Sequence, residues 1–152
     1  MTISYSFLTV IQSISQISIS GINMKAANQI PENAQMETPC FFLAPDNSMT
    51  NSTQERVSFG GAGTALMNAN YTLNYRYLHA PIGTVGSLFT VYPAMLTNLK
   101  AILEAIAAND NISGAVDMTF GGITHIGALA DPAGSMQYHG MEFALNILEF
   151  IQ

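Results

Sequence analysis

The chain has 152 residues, of which four are Lys or Arg and ten are Asp or Glu, so charged residues make up 9% and the net charge is −6. A typical soluble domain carries about 25% charged residues. That length fits a single domain, residues 1–152, large enough to bury a core without staples. The basic residues Lys25, Arg56, Arg76 and Lys100 are scattered, which excludes a tight grip on a run of phosphates. No apolar run approaches the length of about 18 residues that a membrane span needs. With Cys40 as the only cysteine, an internal disulfide is impossible. A surface this poor in charge is expected to be partly hidden in an assembly.

The N-terminus, "MTISYSFLTVIQSISQIS", lacks a basic start and is interrupted by Gln12, Ser13, Ser15 and Gln16, so it is read as part of a cytosolic product rather than a signal peptide. Ile3, Phe7, Val10, Ile11, Ile14 and Ile17 recur at spacings of three and four, which predicts a first helix capped by Thr2 and stopped by Gly21. Residues 22–37 are polar and turn-prone. "CFFLAP" predicts a short buried strand ending at Pro45, with Cys40 a buried thiol.

"DNSMTNSTQE", residues 46–55, is rich in Ser, Thr and Asn and predicts a loop. Val57 and Phe59 begin a strand that Gly60, Gly61 and Gly63 loosen. A second strand covers about 69–80, with Tyr71, Leu73, Tyr75, Tyr77 and His79 on one face. Leu88, Met95, Leu99, Ile102, Leu103 and Ile106 predict a second helix. Its main body is placed at about 91–108, because Pro93 fits best in a first turn capped by Thr90.

Val116, Met118 and Phe120 alternate with Asp117 and Thr119, and "GALADPAG" predicts a loop. The closing segment, from Gln137, places His139, Met141, Phe143, Leu145 and Ile147 on a bulky face opposite a smaller, wetter one. The fold class expected is α+β, a mainly antiparallel sheet with two helices packed on one face.

The candidate chemistry is thin. "FGGAGTAL" has neither the third glycine of a dinucleotide loop nor the lysine of a phosphate loop. His79, His125 and His139 fall in different strands or strand ends, without paired ligand spacing. Asp117 and Glu142 read better as acids on the wet side of a sheet than as an acid–base pair. The face of the 69–80 strand that carries Tyr71, Tyr75 and Tyr77 has no basic residue to accompany base stacking, so packing is the expected role. No enzyme, cofactor or metal is expected.

The segment 114–151 resembles the C-terminal half of the tail terminator (tail completion) proteins of long-tailed bacteriophages. Those proteins end in a helix, an alternating strand, a polar loop and a last strand of the type Y-x-G-x-E-F-x-L-x-I, matched here by Tyr138, Gly140, Glu142, Phe143, Leu145 and Ile147. "YTLNYRYLHAPIG" and "LKAILEAIAAND" are similar to the family's central strand and second helix.

The resemblance implies a structural virion protein, a homo-oligomeric ring (commonly a hexamer) capping the head-proximal end of the tail tube. Its expected partners are further copies of itself, the tail tube protein and the head–tail connector or neck protein. DNA passes through without specific binding. The expected location is the neck of the virion, after assembly in the host cytoplasm. The alternatives are another tail or neck component, such as a tube subunit or head-completion protein, or a small metal-dependent enzyme. Contacts between subunits are expected in the polar loop and the glycine-loosened hairpin, at Asn51, Arg56, Phe59, Leu66 and Met67.

Overall fold

A computed structural model of the chain describes residues 14, 17, 19, 21–25, 38–44, 49–56, 67–83, 86–108, 116–130 and 136–151. The described elements are strands β1 (Asn23–Lys25), β2 (Cys40–Leu43), β3 (Met49–Arg56) and β4 (Met67–Pro81), helix α1 (Leu88–Ala108), then strands β5 (Val116–Ala130) and β6 (Gln137–Ile151). The strands form one sheet in the order β1-β2-β4-β6-β5, with β3 also paired to β4.

The long pair β4–β6 is the axis of the fold. It runs antiparallel from Met67 opposite Ile151 to Pro81 opposite Tyr138. Strand β5 folds back along the other side of β6, so β4 and β5 are parallel to each other with β6 between them. Helix α1 supplies the crossover that such a parallel relationship requires. On the far side of β4, β2 pairs with residues 75–78 and β3 with residues 67–73, both antiparallel. The Ala44 amide bridges them by donating to the Asn74 carbonyl at 2.9 Å. The two strands thus form one interrupted line along β4, with β1 parallel to β2 outside it.

Alternation sorts the side chains onto two faces. Tyr71, Leu73, Tyr75 and Tyr77 of β4, Phe41 of β2 and Met141, Phe143, Leu145 and Ile147 of β6 are buried against Val91, Met95, Leu99, Ile102 and Ile106 of α1. Tyr75 stacks on Phe143 with ring centroids 5.7 Å apart. On the opposite face Cys40, Phe42, Leu78, Leu129 and Tyr138 make a second, smaller core. Elsewhere that face carries polar pairs, with Thr72 donating to the Asn146 side-chain carbonyl at 2.9 Å.

Several expectations need correction. The described residues hold one helix, where two were expected. The first expected helix falls outside them apart from Ile14, which is helical, and Ile17; both are buried. Helix α1 starts at Leu88 rather than near residue 91, and Ser87 stands before its first turn, accepting from the amides of Thr90 and Val91. Pro93 therefore lies inside the helix. It has no N–H to give to the carbonyl four residues back, at Phe89, where the helix is open to solvent.

The predicted loop 46–55 instead holds most of β3, because β4 is long enough to offer a ladder beyond β2. Residues 127–130, placed in a loop by the sequence, extend β5. Two register shifts, at Phe120/Gly122 and Ile123/His125, interrupt the alternation there. Gly122 sits in the first shift with φ 102, a conformation that side chains with a Cβ resist. Strand β1 lies within a stretch read as turns.

Candidate assembly surface and histidine cluster

Of the residues expected to make subunit contacts, Asn51 and Arg56 lie in β3. Met67 opens β4, opposite both Arg56 and Ile151, so it belongs to a paired strand rather than a loop tip. Phe59 and Leu66, like the glycine run 60–63, lie outside the described residues.

The surface that stands out is at the other end of the sheet. Among the described residues β5 pairs only with β6, which leaves fifteen residues of strand edge without a partner. Phe120 and Ile123 stand opposite Leu145 and Phe143, so they project to the helix side, yet they are 46% and 38% exposed. Helix α1 adds Phe89 (87% exposed), Tyr92 and Leu96. At 100° per residue Tyr92 and Leu96 fall on the flank of α1 away from Asn98, whose amide is bonded to Tyr77 of β4.

Sequence reasoning missed these residues. The 89, 92, 96 spacing is a second apolar stripe beside the buried one, and was a legible signal. The register shifts beside Phe120 and Ile123 were not. Residues 86–99 contain no Asp, Glu, Lys or Arg, and β5 contains only Asp117.

A polar cluster lies at the opposite end of β4. The Asn98 amide donates to the Tyr77 hydroxyl at 2.7 Å, and that hydroxyl donates to Nδ1 of His79 at 2.7 Å. Nε2–H of His139 donates to the Gly86 carbonyl at 3.0 Å, tying β6 to the segment that enters α1. Burial pushes the Tyr77 phenol up to about 12, against a smaller opposing effect of the Asn98 bond. His79 is held below its ordinary value, first by burial and then by the nearby His139. The structure thus brings His79 and His139 together.

His125 is not with them. It stands opposite Glu142 and its Nε2–H donates to the Ala128 carbonyl at 3.3 Å. Among the described residues no three His, Cys, Asp or Glu side chains gather as metal ligands. Asp117 and Glu142 are also separated, since Asp117 stands opposite Leu148, six residues along β6 from Glu142. Glu142 is instead paired with Arg76 on the adjacent strand at 2.8 Å. Cys40 is fully buried within the second core.

Comparison of the chain with protein-family models and with curated proteins returns no match. Among the described residues no helix is long and apolar enough to cross a membrane.

Proposed function

We propose that this protein is a structural subunit that assembles into a closed ring, of the tail-terminator type, at the head-proximal end of a long phage tail. The observation that carries the reading is the edge of β5, which has no partner strand among the described residues, with Phe120 and Ile123 beside it. A lone domain would leave an unprotected strand edge and large apolar side chains in water, a combination that promotes pairing with another chain. The small number of charges supports the same conclusion, because permanent burial between subunits favours uncharged surface.

In this reading the N-terminal segment forms the second helix on the α1 side, where Ile14 and Ile17 already join the core. The ring is a hexamer that stops tube growth and offers a surface to the head connector. The polar part of the sheet face away from α1, with Thr72, Asn146 and the Arg76–Glu142 pair, would let DNA slide past without gripping it. The location is the neck of the virion.

Negative-stain imaging of the purified protein tests this. Closed rings of uniform diameter are expected. Long tubes would replace the terminator with a tube subunit, and dispersed single domains would contradict both.

A further inference from the structure

We infer that the contacts of His79 and His139 with Tyr77, Asn98 and Gly86 form a proton-sensitive latch, which holds the start of helix α1 on the sheet at neutral pH and lets it loosen on acidification. The latch lies within one chain and does not depend on assembly.

Strand pairing builds the cluster. Along the β4–β6 pair Leu78 stands opposite Gly140 and Ala80 opposite His139, so His79 is the extra residue of a register shift. An extra residue of this kind bends the strand and re-aims its side chains. The ring of His79 lies beside that of Tyr77, with centroids 5.9 Å apart. The cluster reaches α1 at two points. The Asn98 amide donates to the Tyr77 hydroxyl at 2.7 Å, and Nε2–H of His139 donates to the Gly86 carbonyl at 3.0 Å. Gly86, just before the first turn, has φ 100, a conformation that favours glycine. The turn it leads into carries the exposed Phe89 and Tyr92, so the latch also sets how that apolar flank is held.

The direction of the hydrogen bonds makes the latch sensitive to protons. The Tyr77 hydroxyl accepts from Asn98, and its single proton goes to Nδ1 of His79 at 2.7 Å. A charged imidazole carries hydrogens on both nitrogens and can only donate. Charging His79 therefore strands the hydroxyl proton of a fully buried tyrosine, or forces the Asn98 amide to give up its bond and turn over. The nearby His139 further disfavours a charge on His79.

Among the described residues no carboxylate faces the cluster to offset this. Residues 86–99 of the α1 segment carry no charged side chain, and Lys100 and Glu104 pair with each other farther along. Glu142 of β6 and Arg76 of β4 alternate onto the opposite face from Met141 and Tyr77, where they hold each other. Residues 126–130 of β5, which run past His139, are uncharged, and β2 brings only the Cys40 thiol. The open latch thus binds a proton more readily than the closed one, and acid draws it open.

Amide hydrogen exchange on the full chain, corrected for the intrinsic effect of pH, tests this. On acidification from neutral pH through the ordinary histidine value, the wild-type amides of residues 90–92 are expected to lose protection severalfold. They are expected to stay far less protected than the Leu73 and Leu145 amides of the central pair, the mark of a local opening. His79→Asn has no imidazole to charge, and Asn98→Asp gives the hydroxyl proton an acceptor when His79 is charged. Both variants, with their fold verified by circular dichroism at neutral pH, are expected to keep residues 90–92 protected across the range. Unchanged protection of these amides in wild type overturns the latch. Exchange there as slow as at Leu73 and Leu145 also overturns it, because only unfolding of the whole domain would then free the helix. A loss in either variant as large as in wild type overturns it as well, since the proton then acts elsewhere.

Discussion

Tyr75 and Tyr77 stand two residues apart on the same face of β4, both buried, and their hydroxyls meet opposite fates. The Tyr77 hydroxyl accepts from Asn98 and donates to His79, joining helix to sheet. The Tyr75 hydroxyl is buried with no hydrogen-bond partner among the described residues. One substitution therefore has two signs. Tyr77→Phe strands the amide of Asn98 and the ring nitrogen of His79 and is expected to cost about 1–3 kcal/mol. Tyr75→Phe removes an unsatisfied group and is expected to leave stability unchanged or raise it by about 1 kcal/mol. Urea denaturation of the two variants beside wild type decides; a loss of the same size for both would refute this account of the core.

His79 gives the fold a pH dependence of definite sign. Its folded pKa lies below the ordinary value of 6.5, because burial and His139 disfavour the imidazolium. The unfolded chain then binds more protons, so stability rises with pH through this window. On acidification the loss begins near the unfolded value and is complete below the folded one. His79→Asn keeps an acceptor near the Nδ1 position and is expected to flatten the profile on acidification from neutral pH through the ordinary histidine value. An equally steep profile in the variant would assign the dependence to other groups.

Gly140 is required by a close approach. A Cβ at this position would overlap the Tyr77 carbonyl oxygen and would lie 3.0 Å from Cδ1 of Leu129. The carbonyl belongs to the β4 backbone and cannot step aside without disturbing the central strand pair. Gly140→Ala is expected to destabilise by about 1–3 kcal/mol, read as a lower denaturant midpoint. A variant as stable as wild type would show that the β4–β6 pair can separate locally at little cost.

Much of the sheet was legible because its long strands alternate cleanly. The Met141–Ile147 row and the Tyr71–Tyr77 row were placed on the correct face from period alone. What the sequence hid has local causes. Strand β3 reads as a loop because its Ser, Thr and Asn residues do not alternate in polarity, and only the length of β4 gives it a partner. The end of β5 was missed because two register shifts break the period. The second core escaped notice because Cys40, Phe42, Leu78, Leu129 and Tyr138 come from four strands with one or two residues each.

The candidate assembly surface was legible only in part. Arg56 and Asn51 lie in β3, which pairs only with β4 among the described residues, while the exposed residues of α1 and β5 were overlooked. The residues that carry the tail-terminator resemblance have structural roles within one domain. Gly140 admits the β4 backbone, Glu142 pairs with Arg76, Phe143 stacks on Tyr75, and Tyr138 fills the second core. They therefore speak for the fold, and assembly must be measured directly.

The apolar flank of α1 offers an independent handle. Phe89 is 87% exposed and is not among the residues of the main core. Phe89→Ser is expected to change the unfolding midpoint little, by about 0.5 kcal/mol or less. If the flank is covered in the ring or by a partner, the same variant weakens that assembly by more than it affects folding. Sedimentation of the variant beside its melting curve separates the two effects.

The most direct measurement is the mass of the wild-type protein by light scattering, from low to tens of micromolar. A single discrete multiple of 16.3 kDa that stays constant across the range is expected, since a closed ring has no free edge on which to add subunits. A mass of one chain at every concentration would contradict the account.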